Sequence, residues 1–348
     1  MNSRGFLLLV IFLPVLSMET LHGQFKTKYP DVPRIDVHTH VAADVQGIAN
    51  YLALRTNMLE RHDIDFALWI NLGDRNNPLV DPIIVEQASE GRMLCSIADY
   101  AAHDGLDHDP DSLQHYLDAG FVGYKIWSGP WYRRLEEQSE GHPYIDDLAH
   151  EPTFAEMERI GMVGASVHIA DPNGPWGNRG DWLADPVEYW KEITAWTRVL
   201  EKHPDLVVVM AHGNWLLCQD AQIDYLRYLL TTFPNLNIDL AATFQYFHLV
   251  QTENLRAFMI EWADRILYAT DIGKWTSQEQ TTERMEQYLR TFQILETDKQ
   301  IAGGFFGGPT IPGLNLPKEV LEKIYFKNAA RLYPRVKEQL IHLGYELD

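Results

Sequence analysis

An α/β barrel of the TIM (β/α)8 type is the fold predicted by this 348-residue chain, and three observations predict it. Eight short β-branched or apolar runs alternate with longer stretches of helical period, the pattern of parallel strands joined by crossover helices. No glycine-rich phosphate loop follows an early strand, as an open doubly wound sheet would usually require. Single His, Lys and Asp residues recur at the C-terminal ends of the runs, the face on which such barrels build their sites.

The strand candidates, in order, are 34–38, 65–71, 93–99, 122–127, 163–169, 206–211, 236–240 and 266–270. The segment from Asp111 to Gly120 opens on capping residues and stops at glycine, and the segment from Pro152 to Gly161 is again closed by glycine, so both read as helices between strands. The glycines from Gly303 to Gly308 follow the last strand and read as a surface loop. With no internal repeat and no shift in composition, residues 24–348 form one domain.

Residues 1–23 are set apart. One positive charge at Arg4, an apolar stretch from Phe6 to Leu16 and the ending Leu21-His22-Gly23 have the layout of a secretory signal peptide. The stretch is too short for a permanent membrane span, and no cysteine follows it for a lipid anchor. The expectation is an exported protein, periplasmic or extracellular, with a mature chain starting near Gln24. The net charge of -20 argues against nucleic acid or an anionic membrane surface as partner. Cys95 and Cys218 make no disulfide framework and read as buried thiols.

The strongest chemical signal is His38-Thr39-His40 at the end of the first run. Residues two apart on a strand face the same side, so both imidazoles enter one space, a metal-binding arrangement. Lys125 lies on strand four, His168 ends strand five, His212 follows strand six and Asp271 follows strand eight. Around the expected mouth stand Trp127 and Arg133 after strand four, Arg179 after strand five and Trp215 after strand six. Aromatic faces beside guanidiniums suit a ring-bearing or sugar-like acid, and suit equally a lid or a contact in a homo-oligomer.

The chain resembles the amidohydrolase superfamily, in the amidohydrolase-related branch that includes aminocarboxymuconate semialdehyde decarboxylase. The motifs are Asp36-Val37-His38-Thr39-His40, Gly123-Tyr124-Lys125-Ile126, Val167-His168, Ala211-His212-Gly213, Asn237-Ile238-Asp239, Tyr268-Ala269-Thr270-Asp271 and Asn328-Ala329-Ala330-Arg331. The resemblance implies a divalent metal, zinc first and manganese second, as one ion or two. His38, His40, His168 and Asp271 would be ligands, with His212 a second-metal ligand or the group that polarises the substrate carbonyl. Lys125 would be a carbamate bridge between two ions, an anchor for a substrate carboxylate, or a partner of Asp271. Asp271 would also take a proton from water activated by the metal.

The implied reaction is hydrolysis of a small, carboxylated ester, lactone or amide. The alternative is non-oxidative decarboxylation of an aromatic or unsaturated acid by the same residues. A non-catalytic ligand-binding barrel would have little use for an open metal position beside a carboxylate base. After Asp271 the chain reads Ile272-Gly273-Lys274, where family members often place a proline, so the substrate is not fixed by the resemblance.

Overall fold

The computed structural model describes residues 25–41, 43–73, 80–100, 106–128, 143–167, 186–303 and 308–347. Its centre is a parallel sheet of β1 (Arg34–His40), β2 (Phe66–Leu72), β3 (Met93–Tyr100), β4 (Phe121–Trp127), β5 (Val163–Val167), β6 (Val208–Met210), β7 (Leu236–Asp239), β8 (Ile266–Leu267) and β9 (Ile272–Gly273). The strands stand in the order β8-β7-β6-β5-β4-β3-β2-β1-β9. The segment that holds β8 and β9 therefore touches both ends of the order and closes the barrel. Val37 N donates to Tyr268 O at 3.1 Å and Asp271 N to His38 O at 2.9 Å along that seam.

Every residue of β2 and β4 is buried, as expected of strands covered on both faces. Val37, Ile70, Leu72, Val163, Val209 and Tyr333 fill the barrel interior. Helices cover the outside, each through one apolar stripe. In α1 (Val45–His62), Ile48, Tyr51, Leu54 and Met58 are fully buried, spaced three and four apart. Each such side chain contributes about 1.5–3 kcal/mol of transfer free energy.

The expected helices form with the expected stops. α3 (Leu113–Ala119) ends on Gly120 at φ 110°, and α4 (Glu151–Ile160) on Gly161 at φ 70°, left-handed positions where glycine carries no Cβ penalty. The start of the first of these differs: Pro110–Ser112 is a 3-10 turn capped by Asp109, and the α-helix begins after it.

Two strands are shorter than their apolar runs. In 206–211 only Val208–Met210 is strand, because the Asn235 amide takes Leu206 O at 3.0 Å and the chain turns left-handed after Met210. In 266–270 only Ile266–Leu267 is strand, because the Thr270 amide is taken by a side chain, Asp36 Oδ1, at 3.1 Å. Residue 168, at the end of the fifth run, lies outside the described residues. Cys95 and Cys218 are buried and are not joined in a disulfide. No helix among the described residues is long and apolar enough to cross a membrane.

Candidate metal centre

At the C-terminal ends of the strands, His38, His212 and Asp271 each present a ligand atom, all within 4.8 Å of one another. His38 and His212 are fully buried, and the Asp271 side chain is 27 % exposed, so the cluster has one side open. Asp271 Oδ1 lies 3.3 Å from His38 Nε2 and 3.2 Å from His40 Nε2. Two ligands of one tetrahedral ion with bonds of about 2.0–2.1 Å stand about 3.3 Å apart, so these spacings fit a shared cation.

The histidines are held in one tautomer. His38 Nδ1 meets Asp239 Oδ2 at 2.9 Å, His40 Nδ1 meets the carbonyls of Leu72 and Gly73 at 3.1 Å each, and His212 Nδ1 meets Ala241 O at 2.7 Å. Carbonyls only accept, so Nδ1 of His40 and His212 carries the hydrogen, and Nε2 is the atom left for a metal. A ligand histidine anchored this way through its second nitrogen is the usual arrangement around a bound ion.

Asp239, at the end of β7, was not among the site residues picked from sequence. Its carboxylate takes the His38 ring on Oδ2 and the amides of His212, at 2.8 Å, and Ala241, at 3.0 Å, on Oδ1. It thus joins strands one, six and seven. The signal available in the sequence was its position: like the other candidates, it closes a strand.

Lys125 is fully buried on β4, with Nζ 3.1 Å from His38 Nε2 and 4.8 Å from the centre of the Trp127 ring. Burial pushes its pKa down to about 8, against the pull of Asp271 and Asp239. Burial also takes His212 down to about 4, so its imidazole is neutral. Burial opposes the charge on Asp271, but in the metal-free protein His38 and His40, when protonated on Nε2 as well, donate to the carboxyl and hold it well below the usual range.

Trp127 is buried beside His40, with ring centres 5.8 Å apart. Trp215, expected at the mouth, is 2 % exposed and stacks flat on His212, centres 4.5 Å apart and planes 6° from parallel. This follows from a left-handed turn in which His212, Gly213, Asn214 and Trp215 all have φ between 49° and 62°. Asp271 is also left-handed, at φ 67°. Such conformations are costly for side-chain-bearing residues and collect at functional sites. His168, Arg133 and Arg179 lie outside the described residues.

A closed α/β barrel with a His/His/Asp donor cluster at the C-terminal ends of its strands is the architecture of the metal-dependent barrel enzymes. The family model described as amidohydrolase matches residues 35–335, and the chain belongs to that family. Among solved structures, an uncharacterized TIM-barrel protein from Bordetella bronchiseptica aligns at 18 % identity and TM-score 0.54, covering 88 % of this chain and 100 % of its own. A 2,6-dihydroxybenzoate decarboxylase, complexed with 2,6-dihydroxybenzoate, aligns at 17 % identity and TM-score 0.49, covering 87 % and 99 %. An amidohydrolase 2 from Bifidobacterium longum subsp. infantis aligns at 11 % identity and TM-score 0.47, covering 87 % and 99 %. No curated protein matches the sequence.

Proposed function

We propose that this enzyme is a metal-dependent hydrolase of small carboxylated esters, lactones or amides. One observation carries the reading: a carboxylate, Asp271, stands at the open side of a cluster of histidines whose Nε2 atoms are kept for a cation. His38, His40, His212 and Asp271 would hold a divalent ion, most simply zinc, together with His168 if that residue joins them. Bound there, the ion supplies Lewis acidity and lowers the pKa of water in its shell toward about 7.

The chain's own groups do the rest. Asp271 Oδ1 faces the histidines, which leaves Oδ2 to accept a proton from the attacking water and return it to the leaving group. His212 is neutral and hydrogenated on Nδ1, so it acts as a ligand and not as a donor to the substrate carbonyl. Lys125, whose pKa burial lowers to about 8, anchors the substrate carboxylate as an ammonium; as an amine it would be open to carbamate formation.

The test is metal analysis of the purified protein followed by turnover on panels of lactones, esters, amides and aromatic acids. Hydrolysis that depends on stoichiometric divalent metal is expected. Carbon dioxide release from aromatic acids, with no hydrolysis, would replace the reading with decarboxylation. Metal-loaded protein inert toward all panels but able to bind an acid would point to the binding barrel. The reading includes export with cleavage near Gln24, which intact-mass analysis of protein from its own host checks; Met1 retained in a soluble cytoplasmic product would refute it.

A further inference from the structure

β1 is not a regular strand. Asp36 pairs with Trp69 and Thr39 with Asn71 of β2, three steps on one strand against two on its neighbour, so β1 carries a one-residue bulge directly before the His38-Thr39-His40 motif. The bulge breaks the alternation of faces. Val37 lines the barrel interior with Ile70, Ser96 and Val209, and the next residue, His38, also turns inward to Asp239 and Asp271. Asp36 turns the other way, to Tyr288 of the outer helix α8 (Gln278–Glu296). Without the bulge, Asp36 and His38 would share a face.

A bulge leaves backbone amides without ladder partners. The His38 amide donates instead to Asp36 Oδ1 at 3.1 Å. Across the seam, the Thr270 amide donates to the same oxygen at 3.1 Å. Oδ2 accepts the Thr270 hydroxyl at 2.5 Å and the Tyr288 hydroxyl at 2.8 Å. One buried carboxylate therefore grips the amide of one candidate ligand, His38, and the residue before another, Asp271.

We propose that Asp36 is a positioning residue: it holds the β1 bulge and so fixes His38 Nε2 against Asp271 Oδ1 at the spacing one cation needs. It touches neither cation nor substrate. The proposal rests on the reading of His38 and Asp271 as ligands.

The test uses Co2+ titration of the metal-free full-length protein, read by visible absorption, together with melting temperature, on wild type, Asp36→Ala, Asp36→Asn, Tyr288→Phe and Glu296→Gln. Wild type should bind Co2+ stoichiometrically. Asp36→Ala should weaken binding by the roughly 10–100-fold typical of lost support to a ligand and alter the absorption bands. Asp36→Asn should lose less, because its Oδ1 still accepts both amides while the Thr270 and Tyr288 hydroxyls can turn to accept from its NH2. Tyr288→Phe, the mildest change, should show a small loss of affinity even if Asp36→Ala does not fold. Glu296→Gln, in a network at the opposite end of the barrel, should lower the melting temperature and leave Co2+ affinity unchanged. If the Asp36 and Tyr288 variants also lower melting temperature alone, with affinity and spectrum as in wild type, the positioning role is wrong. No Co2+ binding by wild type overturns the ligand reading, and the proposal with it.

Discussion

Among single residues, Asp239 and Asp271 show how two carboxylates of one site acquire different work. Asp239 is fully enclosed and gives each oxygen to groups of the protein, so it orients; Asp271 keeps an open side, so it can exchange protons. Asp239→Asn would set an NH2 against the His38 Nδ1 hydrogen if its oxygen stays on the two amides. Metal affinity should then drop about 10–100-fold with the fold intact, as dialysis and elemental analysis would register. Asp271→Asn keeps one oxygen but loses basicity, and turnover should fall by about 10²–10⁴-fold while metal content falls less. Near wild-type turnover with an unchanged acidic limb of the pH profile would remove Asp271 from the chemistry. His38→Ala or His40→Ala should strip most of the metal; full metal content in both would rule out the strand-one pair.

At the scale of elements, the sequence was readable wherever a short-range rule decides. Gly120 and Gly161 stop their helices as expected because left-handed caps favour glycine regardless of surroundings. The pairing of His38 and His40 on one face was also readable, because alternation does hold between those two. What sequence could not reveal was the bulge just before them and the left-handed turn at 212–215, because both are held by partners distant in the chain. Tyr189 OH donates to Asn214 O at 2.9 Å, and the His212 amide is fixed by Asp239. Trp215 was accordingly expected at the mouth and instead backs His212. In that turn Gly213, at φ 49°, is the residue best suited to its conformation, and a Cβ there would lie 3.3 Å from Leu217 Cδ1. Gly213→Ala should cost about 1–2 kcal/mol in thermal or denaturant unfolding. An unchanged midpoint would show that the turn relaxes freely.

At the scale of the whole molecule, a buried ion-pair network and the candidate metal site occupy opposite ends of the described barrel. At the base, Arg34 and Glu296 form a fully buried ion pair at 3.0 Å, with Thr27 and Tyr325 hydroxyls on the same carboxylate and the Arg34 guanidinium 4.9 Å from the Tyr325 ring centre. Glu296→Ala strands a buried guanidinium and should destabilise the fold by about 3–5 kcal/mol, while metal content stays full. Equal losses of both would mean that the two ends are coupled. Burial also pushes the Cys95 thiol up to about 12. At pH 8 a thiol reagent should therefore leave Cys95 unmodified in the native protein and label it on unfolding; rapid native labelling of Cys95 would contradict its enclosure.

The base is also where both ends of the described chain are fastened. Thr27 is tied to Glu296, the Asn328 amide bonds Ala263 O and Ile266 O at 2.7 Å each, and Tyr345 OH bonds Asp65 beside the start of β2 at 2.6 Å. A tether joined directly at either end of the described residues would therefore leave from the face opposite the candidate metal site. Molecules grafted to a bead through such a tether would all turn their mouths toward the solution, and their kcat/KM should match that of the free protein.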